Sequence, residues 1–420
     1  QPHHPLRDGE LFRRAPHAEL RDMKEARRTS VEFIVLVALL NAMVAMSIDT
    51  MLPAIGAIAS ELGATDPNSR QFIITVFFAG MTLGTLLYGP WSDSVGRKPA
   101  IYVGLVFYAI GALLCLASQN FTVMLIGRFI QGFGAASPRI VSIAMVRDGS
   151  AGPAMARVMS FVMTVFMLVP ILAPSVGQLI LFFASWRFIF LGFLLMGIIA
   201  GVWLWRRQPE TLPRSKRVPL RTGPLLSAAI EVFRHRVTMG YTLATGCIFG
   251  SFIAYLGTSQ QIFAEQYQQG DYFALWFGLF AVAIAIAMML NGRLVMKYGM
   301  RVLSKWALRG SIALSGVFLL AALVFGGHPP LWMLGVYLFA NFFCCGMLFG
   351  NYNAIALEPM GRIAGMASAI SGAGSSLLAI IFGAIIGQFY DDTVVPLAAG
   401  FTVLGVLALA VTEWAERRRA

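Results

Sequence analysis

Charge is what this chain has least of. Asp, Glu, Lys and Arg make up 12% of its 420 residues while 58% are hydrophobic, against about 25% charged and 45–50% apolar in an ordinary soluble domain. That shortage excludes the water-soluble class. Histidine is also scarce, and His3, His4, His17, His235 and His328 all fall in polar stretches, which leaves no His-based catalytic site and no metal site. The four cysteines, Cys115, Cys247, Cys344 and Cys345, lie inside apolar runs with no CxxC or Cys/His spacing, so they read as small apolar fillers. No H-E-x-x-H, paired carboxylates or nucleophile with its base stands at membrane depth, so an enzyme is not expected. No nucleotide-binding P-loop is present, which removes an ATP-driven pump. The net charge is +12, but the basic residues are spread over several loops; anionic lipid headgroups are their natural counterpart rather than nucleic acid.

What the chain has in abundance is long apolar runs. A membrane-crossing helix needs about 20 mostly apolar residues, and twelve segments qualify: 31–58, 71–91, 99–118, 121–146, 154–184, 186–205, 237–264, 272–296, 302–326, 331–356, 363–389 and 394–413. Lys and Arg gather on one side of the resulting topology: Arg97 and Lys98, Arg147 and Arg157, the run Arg206 to Arg236, Lys297, Arg301 and Lys305, Arg362, and Arg417 to Arg419. The other side receives Glu61, Asp66, Glu265, Asp271, Asp391 and Asp392, with Arg70 and Arg187 as basic exceptions. By the positive-inside rule both termini are expected in the cytoplasm. Residues 1–30 are polar without an apolar core and cleavage site, so they read as a cytoplasmic tail ahead of an uncleaved signal-anchor.

The longest gap, 206–236, contains RRQPETLPRSKRVPLRTGP and divides the spans six and six. Its prolines forbid a continuous helix, and it reads as a linker between a bundle at 31–205 and a bundle at 237–415, with 416–420 as a short cytoplasmic tail. Two echoes support the division. GPWSDSVGRK (Gly89 to Lys98) recurs as GRLVMKYGMR (Gly292 to Arg301), and Gly177-Gln178 in the fifth span is answered by Gly387-Gln388 in the eleventh. Weak internal symmetry of this kind marks transporters built from parallel repeats.

Three charges lie deep within the spans of the first half. Asp49 and Arg128 fall at similar depths from the outer face, about 14 Å and about 10 Å at 1.5 Å per residue, and each should face water or a partner because a charge there costs at least about 2.5–3.5 kcal/mol. They read as a pair in which Asp49 carries a proton and Arg128, which cannot release one, tunes it; a structural ion pair, or two separate polar groups facing water, is the alternative. Arg139 lies deeper in the fourth span, where its stem is expected to snorkel to the cytoplasmic interface; the other reading places it on a central cavity, biased against cations. Pro170 and Pro174 should bend the fifth span, with Gly177 packing closely on a neighbour.

The loop Gly89-Pro-Trp-Ser-Asp93-Ser-Val-Gly96-Arg97-Lys98 resembles the G-x-L-[AS]-D-x-x-G-R-[RK] signature of the major facilitator superfamily. Arg128-Phe-Ile-Gln131-Gly132-Phe-Gly134-Ala135-Ala136 resembles its R-x-x-Q-G-x-G-A-A motif. Asp49-Thr-Met-Leu52-Pro53 is similar to the D-x-x-L-P of twelve-helix drug–proton antiporters, and Ala173-Pro174-Ser-Val-Gly177-Gln178 to a variant of their G-P-x-x-G-G. The combination is nearest the Bcr/CflA-type multidrug exporters. Ser94 stands where the family usually has Arg, and Ala173 and Gln178 replace two of its glycines.

The resemblance implies an all-α polytopic fold of two pseudo-symmetric six-helix bundles, working as a monomer in a bacterial inner membrane by alternating access. It implies export of small amphiphilic compounds in exchange for protons, with no cofactor. Gly89, Asp93, Gly96, Arg97 and Lys98 would form a cytoplasmic gate, with Asp148 as the expected carboxylate partner of Arg97 and Gly89 and Gly96 allowing close approach. The bend at Pro170, Pro174, Gly177 and Gln178 would serve antiport. Candidate cavity residues are Phe161, Met167, Tyr255, Gln260, Asn341 and Asn351, the amides because a polar group in the membrane needs a partner. Proton-driven uptake of a metabolite is the alternative, and a polytopic receptor a more distant one.

Overall fold

A computed structural model describes residues 15–149, 152–219 and 222–417. Only the backbone course is described for residues 15–30 and for a few others including Arg362. The tail at 1–14 and the charges assigned to Arg362, Arg418 and Arg419 therefore lie outside the described residues, at least in their side chains.

Twelve helices among the described residues are long and apolar enough to cross a membrane: Val31–Glu61, Pro67–Val95, Arg97–Leu116, Phe121–Gly149, Arg157–Phe183, Arg187–Arg207, Arg236–Gln266, Gly270–Tyr298, Met300–Val324, Leu331–Gly361, Ala364–Gln388 and Val395–Glu416. They are called the first to twelfth spans below. With an even number of spans, both chain ends reach the same face, here the terminal face. The polar stretch expected as a tail is helical from Ala15 onward and runs into the first span. The segment between the halves also carries more structure than its prolines suggest: a helix forms over Thr222–Arg234, with the last of them, Pro224, in its first turn.

Small residues set how closely the helices approach. A Cβ on Gly132 would lie 2.0 Å from the carbonyl oxygen of Phe77 in the second span, and one on Gly134 would lie 2.2 Å from the amide nitrogen of Tyr108 in the third. The Gln131-Gly132-Phe-Gly134 stretch is thus where the fourth span presses its backbone against two neighbours at once. In lipid, where apolar side chains gain little by leaving their surroundings, such close packing is a main source of helix association.

The two halves repeat a structural detail. Gly96 and Gly299 each hold positive φ, +111° and +80°, between two consecutive spans, a conformation that disfavours any residue with a Cβ. The arginine one or two positions on then reaches the far end of the next span: Arg97 Nε lies 2.8 Å from Asp148 Oδ2, and Arg301 Nη2 lies 2.5 Å from Glu358 Oε2. Gly89 does not share the close approach expected of it, because a Cβ there would meet open space.

Both basic exceptions on the opposite face are neutralised locally. Arg187 pairs with Glu61, and Arg70 with Glu265.

Candidate transport cavity

The first span changes geometry at its acidic residue. Regular α-helix ends at Asp49, a turn follows at Thr50 and Met51, a 3-10 turn covers Leu52–Ala54, and α-helix resumes at Ile55–Glu61. Pro53 explains the interruption, since it has no N–H to continue the ladder. The fifth span seals the break from one side: a Cβ on Gly177 would sit 1.9 Å from the carbonyl oxygen of Thr50. The fifth span is itself one continuous α-helix with Pro170 and Pro174 inside it, and Gln178 keeps its buried Oε1 without a hydrogen bond.

Asp49 faces a central cavity of about 460 Å³ built from both halves. Its walls include Phe78, Met81 and Met167 from the first half and Phe252, Tyr255, Phe277, Phe280 and Phe342 from the second. Rings pack on one another there, with Tyr255 and Phe342 centroids 4.7 Å apart at 75°. Pro170 lines the same space. No hydrogen bond or ion pair among the described residues engages the Asp49 carboxylate, which is 6% exposed.

The expected pairing of Asp49 with Arg128 is not present. Arg128 is fully buried, and its Nε donates to the carbonyl oxygen of Ile73 at 3.2 Å while Nη1 donates to Gln131 Oε1 at 2.7 Å. Its guanidinium lies 4.3 Å from the Phe77 ring centroid, leaving Nη2 without a partner. Equal depth did not imply contact, because the side chain turns toward the second span rather than toward the first. Beside it, Ser47 shares a 2.7 Å hydrogen bond with Tyr108.

Arg139 also departs from the favoured expectation. Instead of snorkelling to the interface it lines the cavity, its guanidinium carbon 5.8 Å from the Phe166 ring and Nη1 3.9 Å from Met81 Sδ. Thr245, Asn353, Ser375 and Ser376 line the cavity too and were not singled out from sequence; single hydroxyls and amides in apolar runs carry no periodic signal that separates lining from packing.

Of the six cavity candidates, Met167 and Tyr255 line it. Phe161 is 45% exposed and stands on the outer surface of its helix. Asn341 accepts from Ser311 Oγ at 2.5 Å, and Asn351 exchanges two 2.9 Å bonds with Asn291. Both amides did need a partner, but they found it between helices. Gln260 belongs to a seal on the face opposite the termini, where its Oε1 accepts from Arg70 Nη1 at 3.1 Å. Gln71 Nε2 donates to Gln261 Oε1 at 2.9 Å, Gln261 donates to Asn68 at 3.0 Å, and Asn68 donates to the carbonyl oxygen of Tyr390 at 2.8 Å. Gly387, half of the sequence echo, makes room for Gln71, whose Oε1 lies 1.9 Å from where its Cβ would be.

At the terminal face Arg97 is held by Asp148 and by Asp93, whose Oδ1 is 2.5 Å from Nη1. The linker completes this cluster. Glu210 accepts from the backbone N–H groups of Arg97 and Lys98 at 2.9 and 3.1 Å, capping the third span. Thr211 donates to Asp148 at 3.2 Å, Lys98 Nζ to the Gln208 carbonyl at 2.5 Å, and the Val218 amide to the Asp93 carbonyl at 3.0 Å. Glu210 thus supplies the anionic cap of the third span, while Asp93 pairs with the Arg97 side chain. Ser94, in the place of the family's usual Arg, donates to the carbonyl of Trp91 at 2.8 Å.

Twelve spans in two six-helix halves around one shared cavity define a polytopic membrane transporter. The model of the Major Facilitator Superfamily matches residues 35–384, and the chain belongs to that superfamily. It is 31% identical over 93% of its length to the bicyclomycin resistance protein homolog of Haemophilus influenzae, covering 97% of that protein. It is 28% identical to the multidrug resistance protein MdtL of Klebsiella pneumoniae over 87% of this chain and 91% of that one. The crystal structure of a D-xylose-proton symporter superimposes with a TM-score of 0.70 at 14% identity over 91% of this chain and 97% of the other, a likeness of fold.

Proposed function

We propose that the protein exports small amphiphilic compounds across a bacterial inner membrane by proton antiport, alternating access to the central cavity between the two faces. The observation that carries this reading is the Asp49 carboxylate, unpartnered on the cavity wall at the break in the first span. A carboxylate there can gain a proton when the cavity opens to one side and lose it when it opens to the other. The large aromatic lining suits amphiphiles rather than sugars. Relatives named for bicyclomycin and multidrug resistance favour drugs or antibiotics as cargo.

Arg128 acts at one remove in this scheme. Buried against Phe77, Ile73 and Gln131, it keeps a positive charge near the outer end of the pathway without pairing with Asp49. With both termini in the cytoplasm, the seal around Arg70, Glu265 and Gln71 closes the outer side, and the cavity faces inward to collect cargo. The Arg97 cluster and its linker cap then serve as the cytoplasmic gate.

Flux in proteoliposomes tests the direction. With the pH lower on the side of the face opposite the termini, a transported dye or drug should move outward against its own gradient. Movement in the same direction as the protons would replace antiport with symport.

A further inference from the structure

The cavity has two levels, which follow from counting along each helix from the terminal face at 1.5 Å per residue. Arg139 stands ten residues from Gly149, Thr245 nine from Arg236, Asn353 eight from Gly361, and Ser375 and Ser376 eleven and twelve from Ala364, which puts this polar ring at about 12–18 Å. Asp49 stands eighteen residues from Val31, Tyr255 nineteen from Arg236, Phe280 eighteen from Tyr298 and Phe342 nineteen from Gly361. That places an aromatic chamber at about 27–28 Å. Apart from Asp49 and the Tyr255 hydroxyl, the polar groups of the lining therefore gather toward the terminal face, where they share the wall with Phe166, Met288 and Phe349.

Arg139 forms no ion pair among the described residues, and its contacts, a thioether sulfur and the Phe166 ring, use little of its donor capacity. An unpaired guanidinium inside a membrane protein is costly to maintain and usually marks a binding site. Across the cavity, Asn353 and Ser376 form no hydrogen bond among the described residues, so an amide NH2 and a hydroxyl remain free to donate. Thr245 and Ser375 instead return their hydroxyl protons to the carbonyls of Tyr241 and Gly372. The free groups can all donate and are clustered at one level, with Arg139, the one cation on the wall among the described residues, beside them. Asp49, the one carboxylate on the wall among the described residues, belongs to the other level.

From this arrangement we infer that the cavity selects amphiphiles bearing one anionic group, a carboxylate or its like, with the head bound by Arg139, Asn353 and Ser376 and the apolar body in the aromatic chamber. The inference rests on the transporter reading and adds the charge class of its cargo. A guanidinium grips a carboxylate through two parallel N–H bonds, so the interaction depends on shape as well as charge. It also separates the two tasks: cargo charge is read at Arg139 and the proton at Asp49.

The test uses the purified full chain and three fluorescent probes with one body: pyrenebutyrate, its amide and pyrenebutyl-trimethylammonium. Wild-type protein should bind the carboxylate about tenfold or more tightly than the amide, the size of a charge-assisted hydrogen-bond contribution, and the ammonium most weakly. Arg139→Gln should bring the carboxylate and amide within about twofold of each other. Arg139→Lys should keep part of the preference, and thermal melting of each variant checks folding. Equal binding of the three probes by wild type, tighter binding of the ammonium, or a preference untouched in folded Arg139→Gln would overturn the inference. Binding is read without a gradient, so proton-driven flux can fail while the carboxylate preference survives, which removes antiport alone. Proton-driven export of a cation with no carboxylate preference would remove this inference alone.

Discussion

Asp49 and Arg128 show how far a single residue can be placed from its neighbours in the chain. Both sit in apolar runs, where a charge needs water or a partner; Asp49 faces the cavity and Arg128 is bonded within its own half. Their separation was not legible, because depth along a helix fixes height and leaves the rotation about the axis open. The same ambiguity governed Arg139, Asn341 and Asn351, whose partners lie on other helices. Gly177 offers a residue-scale prediction, since an added Cβ would meet the Thr50 carbonyl at 1.9 Å. Gly177→Ala should lower stability by roughly 1–3 kcal/mol, the usual penalty of overpacking, while Gly192→Ala, which meets nothing within 4 Å, should melt like wild type. Identical melting curves for the two variants would remove the packing role assigned to Gly177.

At the scale of elements, the number of spans and their approximate limits were readable because length and apolarity suffice to define a membrane helix. The break in the first span was signalled by Pro53, and the repeated positive-φ glycines by the echo between Gly96 and Gly299. The linker was less legible. Its charge and prolines indicate a connector, whereas Glu210, an acid among basic residues, gives no sign from sequence that it caps the third span 113 residues earlier in the chain. Glu210→Ala leaves the Arg97 and Lys98 amides without that acceptor and should cost about 0.5–2 kcal/mol, as loss of a helix cap does. Trypsin should then cut at the exposed Arg214 and Lys216 several-fold faster. Unchanged cleavage and melting would show that the linker docks without help from Glu210.

At the scale of the whole molecule, the two halves meet in polar contacts on the face opposite the termini. Asn68 and Gln388 exchange side-chain to backbone hydrogen bonds at 3.1 and 3.2 Å across the two halves, and Arg70 joins Gln260 and Glu265 beside them. Asn68→Cys with Gln388→Cys, in a chain whose four native cysteines are replaced, should cross-link on oxidation and stop transport, with recovery on reduction. Full activity of the cross-linked protein would mean that this face never opens.

Proton coupling at Asp49 is the heart of the proposed export cycle, and it is tested by removing the carboxyl proton site. Wild-type protein and Asp49→Asn are reconstituted in proteoliposomes, and substrate movement is followed with and without an imposed pH difference. The variant should still exchange substrate down its gradient, as a folded carrier does, and no longer respond to pH. Accumulation against a substrate gradient by Asp49→Asn, driven by the pH difference as in wild type, would contradict that coupling.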